Sequence, residues 1–224
     1  MKNIYSLFFL LLLTNQINAQ NKDEQEALQD PAAKEILDRV SNKMLSYQTI
    51  MADFELVINN RVDKLQSKSR GAVQIKGNKY YMESMGSMVF FNGKTLWSYM
   101  PDINEVTVSE PDSIEGDFID NPALIFTFYN RDFKYRLIGE ARIENRWMYE
   151  IDLFPKNLDQ PYSRFKVFID KEKEEIYMLK AIGKDGIDYT IFLINLRYNL
   201  PINDSKFTFK TSEYPKVEVI DMRF

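Results

Sequence analysis

Many short stretches of this chain alternate apolar and polar residues with a period of two, and this repetition constrains the fold more than any other feature. In the first of them, Phe54, Leu56 and Ile58 share one side. Turn-forming dipeptides such as Gly77-Asn78 and Asn92-Gly93 separate successive stretches. Roughly ten strands joined in sequence by short turns pair antiparallel. The sequence therefore predicts a mainly β (α+β) chain whose long antiparallel sheet is strongly curved or forms an incomplete β-barrel.

Helical spacing occurs in only a few segments. Asp30-Pro31 supplies a cap and an early proline for an amphipathic helix. A second short helix is expected within 120–130, and a third helical turn at Ile202–Ser205, before a final strand. Because several strands are apolar on both faces, we expect these two or three helices to form a lid that encloses a hydrophobic cavity. The predicted lid residues are Leu37, Val40, Met44, Leu124, Ile125 and Phe128. A well-packed core with ordinary strand aromatics is the alternative, and the composition does not choose between them.

The composition excludes several kinds of chemistry. The chain has no histidine and no cysteine, so the commonest general base, the commonest metal ligand, disulfides and thiol catalysis are all absent. Its 29 basic and 33 acidic residues give a net charge of −4 without a basic block. We therefore expect no nucleic-acid partner, no metal and no cofactor.

The N-terminal segment, residues 1–19, is typical of a secretory signal. A basic residue precedes the apolar run Leu7–Leu13, which is too short to span a bilayer. We expect cleavage near Ala19 and export of the remainder. Residues 20–32 are expected to be a flexible N-terminus, and residues 33–224 a single domain.

The hairpin sequence FFNGKTLWSYMPDINEVTV, residues 90–108, raises a question about function. Its strands carry four aromatic rings, Phe90, Phe91, Trp97 and Tyr99. These rings face an ordinary core, a partner or a bound molecule, and periodicity alone does not decide which.

This hairpin resembles the one typical of the outer-membrane lipoprotein carrier family, the LolA-type periplasmic chaperones. The matching residues are Asn92, Gly93, Lys94, Leu96, Trp97, Tyr99, Pro101, Glu105, Val106 and Thr107. The strand entry SYQTIMADFEL, the segment NPALIFTFY and the closing DSKFTF are similar to further family motifs. The resemblance extends from about residue 33 to the end of the chain.

The resemblance implies a periplasmic carrier without enzymatic activity. Such a carrier holds the acyl chains of lipoproteins in a cavity, takes them from an inner-membrane ABC-type exporter and releases them at the outer membrane, where an acceptor receives them in some cases. We expect a monomer. The family's arginine that latches the lid corresponds here to Lys76 or, depending on a one-residue gap, to Gly77. Lys76 is the candidate latch, a weaker one because lysine lacks the guanidinium fork.

Alternation within the strands selects the residues expected to line the cavity. They are Phe54, Leu56, Ile58, Val73, Ile75, Tyr80, Met82, Phe91, Leu96, Ile151, Phe165, Val167, Met178 and Ile191. Plain core packing is the competing interpretation for each of them. A bulge in a strand would also reverse the assigned face.

Two other functions stay open. The same scaffold serves in some families as a periplasmic sensor or regulator that binds lipids or partners. An enzyme with paired carboxylates is the third hypothesis. It is disfavoured because Asp120 is typical of a helix cap and Asp170–Glu175 of a charged turn.

Overall fold

The computed structural model describes residues 29–110 and 133–223. This described part contains one α-helix, α1 (Pro31–Leu45), and twelve strands. The strands are β1 (Ile50–Asn60), β2 (Leu65–Lys76), β3 (Lys79–Ser84), β4 (Ser87–Phe91), β5 (Leu96–Met100), β6 (Glu105–Ser109), β7 (Phe133–Ile143), β8 (Arg146–Pro155), β9 (Tyr162–Asp170), β10 (Glu175–Gly183), β11 (Ile187–Tyr198) and β12 (Glu218–Asp221). The predicted signal segment and the predicted lid residues Leu124, Ile125 and Phe128 lie outside the described residues.

All twelve strands belong to one curved, open sheet, which confirms the mainly β prediction in its coarse form. The strand order is β12-β6-β5-β4-β3-β2-β1-β11-β10-β9-β8-β7. The central contact joins β1 to β11, so the first and the last long strands of the chain are neighbours. The prediction of a wholly antiparallel sheet needs one correction, because β12 pairs parallel to β6.

The turn between β2 and β3 lies at Gly77-Asn78, as the sequence predicts. Glu144 and Asn145 connect β7 to β8 with φ of 48° and 62°, the left-handed values that a type I′ turn requires. Between β4 and β5 the expected two-residue turn is wrong: the loop has four residues, 92–95. Asn92 Oδ1 accepts hydrogen bonds from Lys94 N at 3.0 Å and Thr95 N at 2.9 Å, so its side chain replaces the tight backbone turn.

Helix α1 begins where the sequence predicts. Asp30 caps it through Oδ1, and Pro31 follows at the first helical position. Its buried side chains, Ala33, Ile36, Leu37, Val40 and Met44, recur at helical spacing on one stripe. No helix within residues 29–110 and 133–223 is long and apolar enough to cross a membrane.

The sheet carries a separate apolar cluster on each face. We call the face that packs against α1 the inner face and the opposite one the outer face. The inner cluster includes the stripe of α1 and inward side chains of β1–β3 and β7–β11. The outer cluster lies over β3–β6 and is completed by residues after β11: Ile202, Phe207 and Phe209, with Tyr214 and Val217 at its border.

The segment after β11 corrects two predictions. The third helical turn exists as a 3₁₀ turn, Asp204–Phe207, but it packs on the outer face and is not part of a lid. The final strand expected after this turn does not follow it directly: Phe207 and Phe209 are buried against the sheet outside any strand, and the last strand is β12. Having crossed the outer face, the chain reaches the edge of β6 in the parallel direction as β12.

Candidate functional site

Thirteen of the fourteen predicted lining residues belong to the inner face. Eight are buried in its cluster: Phe54, Leu56, Val73, Ile75, Tyr80, Ile151, Phe165 and Val167. Five are half-buried and pack against it: Ile58, Met82, Phe91, Leu96 and Ile191. Two-residue periodicity therefore assigned thirteen of these fourteen residues to one common face, although the face also contains residues that were not predicted, such as Leu153 and Ile169.

Met178 is the exception. The register of β9 and β10 shifts between Ile176 and Met178, so one extra residue stands in β10. After this bulge it is Leu179, fully buried, that faces inward beside Val167. Met178 pairs with Phe168 and lies on the outer face, contrary to the expectation from simple alternation.

The inner face is covered unevenly. On β8–β10 its side chains are fully excluded from solvent, with Leu153 at 0%, Val167 at 1% and Leu179 at 0% exposure. On β3–β5 Tyr80 is buried, but the other inward apolar residues are only half-buried: Met82, Val89, Phe91 and Leu96. Phe91 and Leu96 are direct partners across the β4–β5 hairpin. Half of the inner face is thus sealed, and the other half presents large apolar side chains that are partly accessible.

The sealed half is the one to which α1 is attached. In the middle of α1, Arg39 Nε donates to Glu174 Oε1 at 3.0 Å. Lys43 Nζ donates to the carbonyl of Lys173 and lies 3.4 Å from Glu175 Oε1. The predicted lid residues Leu37, Val40 and Met44 are 4%, 3% and 2% exposed and pack into the inner cluster.

A stacked pair of tyrosines follows α1. The rings of Tyr47 and Tyr198 lie 4.0 Å apart between centroids and nearly parallel, and so connect the exit of the helix to the end of β11. Burial, followed by the nearby Glu175 carboxylate, raises the pKa of Tyr198 above its ordinary value. The phenol therefore stays neutral, and its ring packs on Tyr47 at this junction.

The structure places Lys76 away from α1. Its ammonium donates to the Ile202 carbonyl at 3.1 Å and to Asp204 Oδ1 at 2.6 Å, both in the segment on the outer face. Lys79 donates to Asp204 Oδ2 at 2.6 Å. Within the described residues, Lys76 therefore fastens the outer-face segment to the sheet. Its expected role as a lid latch stays a prediction, because the expected lid residues Leu124, Ile125 and Phe128 lie outside the described part of the chain.

The aromatic rings of the β4–β5 hairpin divide between the faces. Phe91 turns inward with Leu96, whereas Phe90, Trp97 and Tyr99 belong to the outer cluster. Phe209 lies 5.5 Å from Phe90 and 5.3 Å from Tyr99 between ring centroids. Many of the outward apolar side chains that led us to expect a large cavity are therefore buried in a second, smaller core on the outer face.

The outer core is the part of the architecture that periodicity missed. Ile202, Phe207 and Phe209 were assigned to a helical turn and a strand, and nothing marked them as a cover for the outer face. The available signal was the pair Phe207 and Phe209 together with strands that are aromatic on both sides. Apolar residues on the outer side of the strands need a cover, and the two phenylalanines after β11 are apolar residues that could provide it.

A groove of about 560 Å³ crosses the sheet near the β3–β4 turn. Phe54 and Gly71 line it together with the charged residues Asp53, Arg70 and Glu83. Such a lining suits hydrocarbon poorly, because charged groups lose hydration there. Among the described residues, no group of three or more acidic side chains is arranged to hold a metal ion.

Comparison with known proteins agrees with this arrangement. A family model described as outer membrane lipoprotein carrier protein LolA matches residues 46–210. The chain belongs to the LolA family. The matched range extends from the exit of α1 to the residue after Phe209, so it contains both the inner face and most of the outer-face segment.

Individual relatives are distant. An outer-membrane lipoprotein carrier protein of Histophilus somni is 23% identical over 177 residues, 77% of this chain and 82% of its own length. An uncharacterized protein of Methanocaldococcus jannaschii is 26% identical over 189 residues, and the match spans 83% of this chain but 53% of that protein. The crystal structure of an uncharacterized conserved protein from Thermus thermophilus shares the fold, with a TM-score of 0.54 at 14% identity over 85% of this chain and 99% of that one.

Proposed function

We propose that this protein is a periplasmic carrier that binds the acyl chains of lipoproteins on its inner face and ferries them from the inner to the outer membrane. The observation that supports this most is the half-buried apolar surface of β3–β5, centred on Phe91 and Leu96, beside a half that α1 seals. A face that is only a structural core has no need to leave this second half accessible.

Burial of hydrocarbon supplies the binding energy in this proposal. Each methylene removed from water contributes about 0.8 kcal/mol, so a few acyl chains bind strongly to an apolar face. The carrier must also release its cargo. Opposing contacts between α1 and the sheet would lower the net affinity, because cargo that reaches the sealed half has to displace the helix.

The attachments of α1 are suited to such displacement. The ion pairs of Arg39 with Glu174 and of Lys43 with Glu175 are partly exposed to solvent. Exposed pairs contribute only about 0.2–1 kcal/mol each. The apolar stripe of α1, rather than these charges, would carry most of the cost of opening, and acyl chains would take over its contacts with the sheet.

The proposed partners are acylated lipoproteins, an inner-membrane ABC-type exporter as donor and an outer-membrane acceptor. The protein would act as a monomer, without a cofactor and without enzymatic activity. The sensor hypothesis has the same scaffold but predicts a stable complex with a regulatory partner rather than transfer of cargo.

Native mass spectrometry with a purified triacylated lipoprotein tests the proposal. The control ligand is the same lipoprotein without acyl chains, and we expect a one-to-one complex only with the acylated form. Phe91→Glu and Leu96→Glu should abolish it, because each places a charge on the half-buried inner surface. Met178→Glu is the matched control, since Met178 is also half-buried but faces outward.

Each outcome discriminates between hypotheses. Acyl-dependent binding lost in Phe91→Glu but kept in Met178→Glu supports carriage on the inner face. Equal binding of acylated and unacylated protein, or binding of neither, overturns carriage and favours the sensor. If all three variants lose lipoprotein binding equally while their circular dichroism stays native, the acyl chains bind at a site other than the inner face.

A further inference from the structure

Turns at one end of the sheet expose aliphatic side chains. Strands β1 and β11 meet at this end through the pair Asn60 and Ile187, and the antiparallel order places the β3–β4, β5–β6 and β8–β9 connections there too. We call four of these residues the aliphatic tips: Val62 at 73%, Met85 at 61%, Ile103 at 61% and Leu158 at 79% exposure. The turns at the opposite end, residues 77–78, 92–95, 144–145 and 171–174, consist of polar residues and glycine.

Hydrogen bonds hold the turns that carry the tips. Asn60 Oδ1 accepts from Val62 N at 2.9 Å, and Arg61 N donates to the Gly186 carbonyl at 2.9 Å. Lys184 N donates to the Pro161 carbonyl at 2.9 Å, which ties the loop of Leu158 to its neighbour. These hydrogen bonds hold the backbone at Val62 and beside the loop of Leu158, and both side chains are largely exposed at the end of the sheet.

Met85 adds an independent observation. Its φ is +49° and that of Gly86 is +78°, which are left-handed values for both residues of the β3–β4 turn. Such two-residue turns strongly favour Asn-Gly, and an unbranched apolar residue in this conformation is strained. The turn thus carries an apolar residue at a position where asparagine would fold more favourably.

The charges around the tips cancel. The turns of this end contain four basic residues, Arg61, Lys64, Lys156 and Lys184, and four acidic ones, Asp63, Asp102, Asp159 and Asp185. Electrostatic attraction to an anionic partner is therefore weak, the more so because the whole chain has a net charge of −4. The attraction that remains is hydrophobic.

We propose that the aliphatic tips insert into the surface of a lipid bilayer and dock this end of the sheet on it. A protein partner would present a continuous surface with its own pockets. The tips instead stand on separate turns along a curved sheet edge and have polar residues between them, an arrangement that a fluid medium accommodates because each tip is immersed independently. The proposal concerns the bilayer surface and stands whether or not the inner face binds acyl chains.

Vesicle flotation tests the proposal directly. The full chain, recovered after export so that every variant has the same N-terminus, is mixed with phosphatidylethanolamine–phosphatidylglycerol vesicles and with phosphatidylcholine vesicles. We expect binding to both and little effect of salt. Replacing the four tips by serine should weaken partitioning at least about tenfold. The control, Leu45→Ser with Trp147→Ser, removes exposed apolar side chains away from these turns and should bind like the wild type.

Met85→Asn separates insertion from folding. Asparagine tolerates the left-handed conformation, so the variant should unfold at a higher urea concentration and yet bind vesicles more weakly. A Leu158→Cys variant labelled with an environment-sensitive dye gives a second readout, because the chain has no other cysteine. We expect a blue shift of the dye emission on addition of vesicles.

The proposal is overturned by absence of wild-type binding, by equal loss in the tip and control variants, by release of the protein at high salt, or by an unshifted dye at Leu158. If the serine variant does not fold, vesicle binding by Met85→Asn and the dye emission of labelled Leu158→Cys still test the proposal. If the wild type binds vesicles but does not bind the acylated lipoprotein, only the proposal of acyl-chain carriage is contradicted.

Discussion

The carboxylate of Asp30 joins the start of α1 to Leu137 in the edge strand β7. Its Oδ2 accepts the backbone N–H of Leu137 at 3.0 Å, while Oδ1 accepts that of Ala32 at 2.9 Å. A parallel bridge between Gln29 and Tyr135 lies beside this contact. One side chain thus caps the helix and also fixes its entry point against the sheet.

Replacement of Asp30 should separate these two contributions. Asp30→Ala removes both and should lower the free energy of unfolding by roughly 2 kcal/mol, the sum of a lost cap and a lost hydrogen bond. Asp30→Asn keeps an oxygen for the cap but turns an amide donor toward Leu137 N–H, so about half of that loss is expected. Urea unfolding measures both, and Glu35→Ala, on the exposed side of α1, is the control. Equal effects of the alanine and asparagine variants would show that the cap contributes nothing, whereas an Asp30→Asn variant as stable as the wild type would show that the contact with Leu137 contributes nothing.

Gly71 should tolerate no side chain. A Cβ added there would lie 2.3 Å from Phe54 Cζ and 2.4 Å from the Glu83 carbonyl oxygen. Gly71→Ala should therefore destabilise the protein by about 1–3 kcal/mol through overpacking. Thermal unfolding measures this effect. Gly77→Asn is the matched control, because it also lies in the β2–β3 hairpin but has open space around it.

A smaller residue at position 54 should partly rescue Gly71→Ala. The double variant with Phe54→Leu should lose less stability than the sum of the two single variants, since the ring that clashes is gone. Strict additivity would mean that the contact with the Glu83 carbonyl, and not the ring of Phe54, causes the strain.

The outer core should depend on Phe207, which is fully buried between the 3₁₀ turn and the sheet. Phe207→Ala should cost about 3–5 kcal/mol because it leaves a large cavity. The emission of Trp97, which packs against this cluster, should shift to longer wavelength as water enters. Leu200→Ala, at a 41% exposed site shortly before it, should change neither property. A stable Phe207→Ala with unchanged Trp97 emission would contradict the assignment of a second core.

The stabilisation that Asp204 provides on the outer face, through its contacts with Lys76 and Lys79, should depend on pH. Hydrogen bonds from Lys76 and then from Lys79 lower the pKa of Asp204 from 3.8 to about 2. A carboxyl whose pKa is lower in the folded state stabilises it above the unfolded pKa, and this contribution is lost as the pH falls through the folded pKa. Asp204→Asn should therefore lower the urea midpoint at neutral pH.

The same difference should disappear in acid. Between pH 3.8 and about 2 the wild type loses the contribution of Asp204, so its midpoint should converge on that of the variant. Asp159→Asn, in an exposed loop, should follow the wild type at every pH. A difference between wild type and Asp204→Asn that persists at the lowest pH would rule out the carboxylate as its source.

Local sequence predicted the elements of this protein well. The cap at Asp30, the apolar stripe of α1 and the inward faces of β1, β2 and β9 all follow from interactions between residues close in the chain. Prediction from local sequence failed at two places, where a single residue changed the strand register or the length of a turn. The bulge before Met178 reversed its face, and the side chain of Asn92 converted a two-residue turn into a loop of four.

The sequence by itself determined a curved, mainly antiparallel sheet with a helix on one face and membership of the LolA family, because period, capping and hairpin motifs are encoded locally. Only the tertiary structure decided what covers each face. Whether Phe91 or Phe90 lies on the inner face, and whether Phe207 lies in a strand or caps an outer core, depends on contacts between residues far apart in the chain. Such contacts are selected by the total apolar area buried and by chain connectivity, and no local pattern records either.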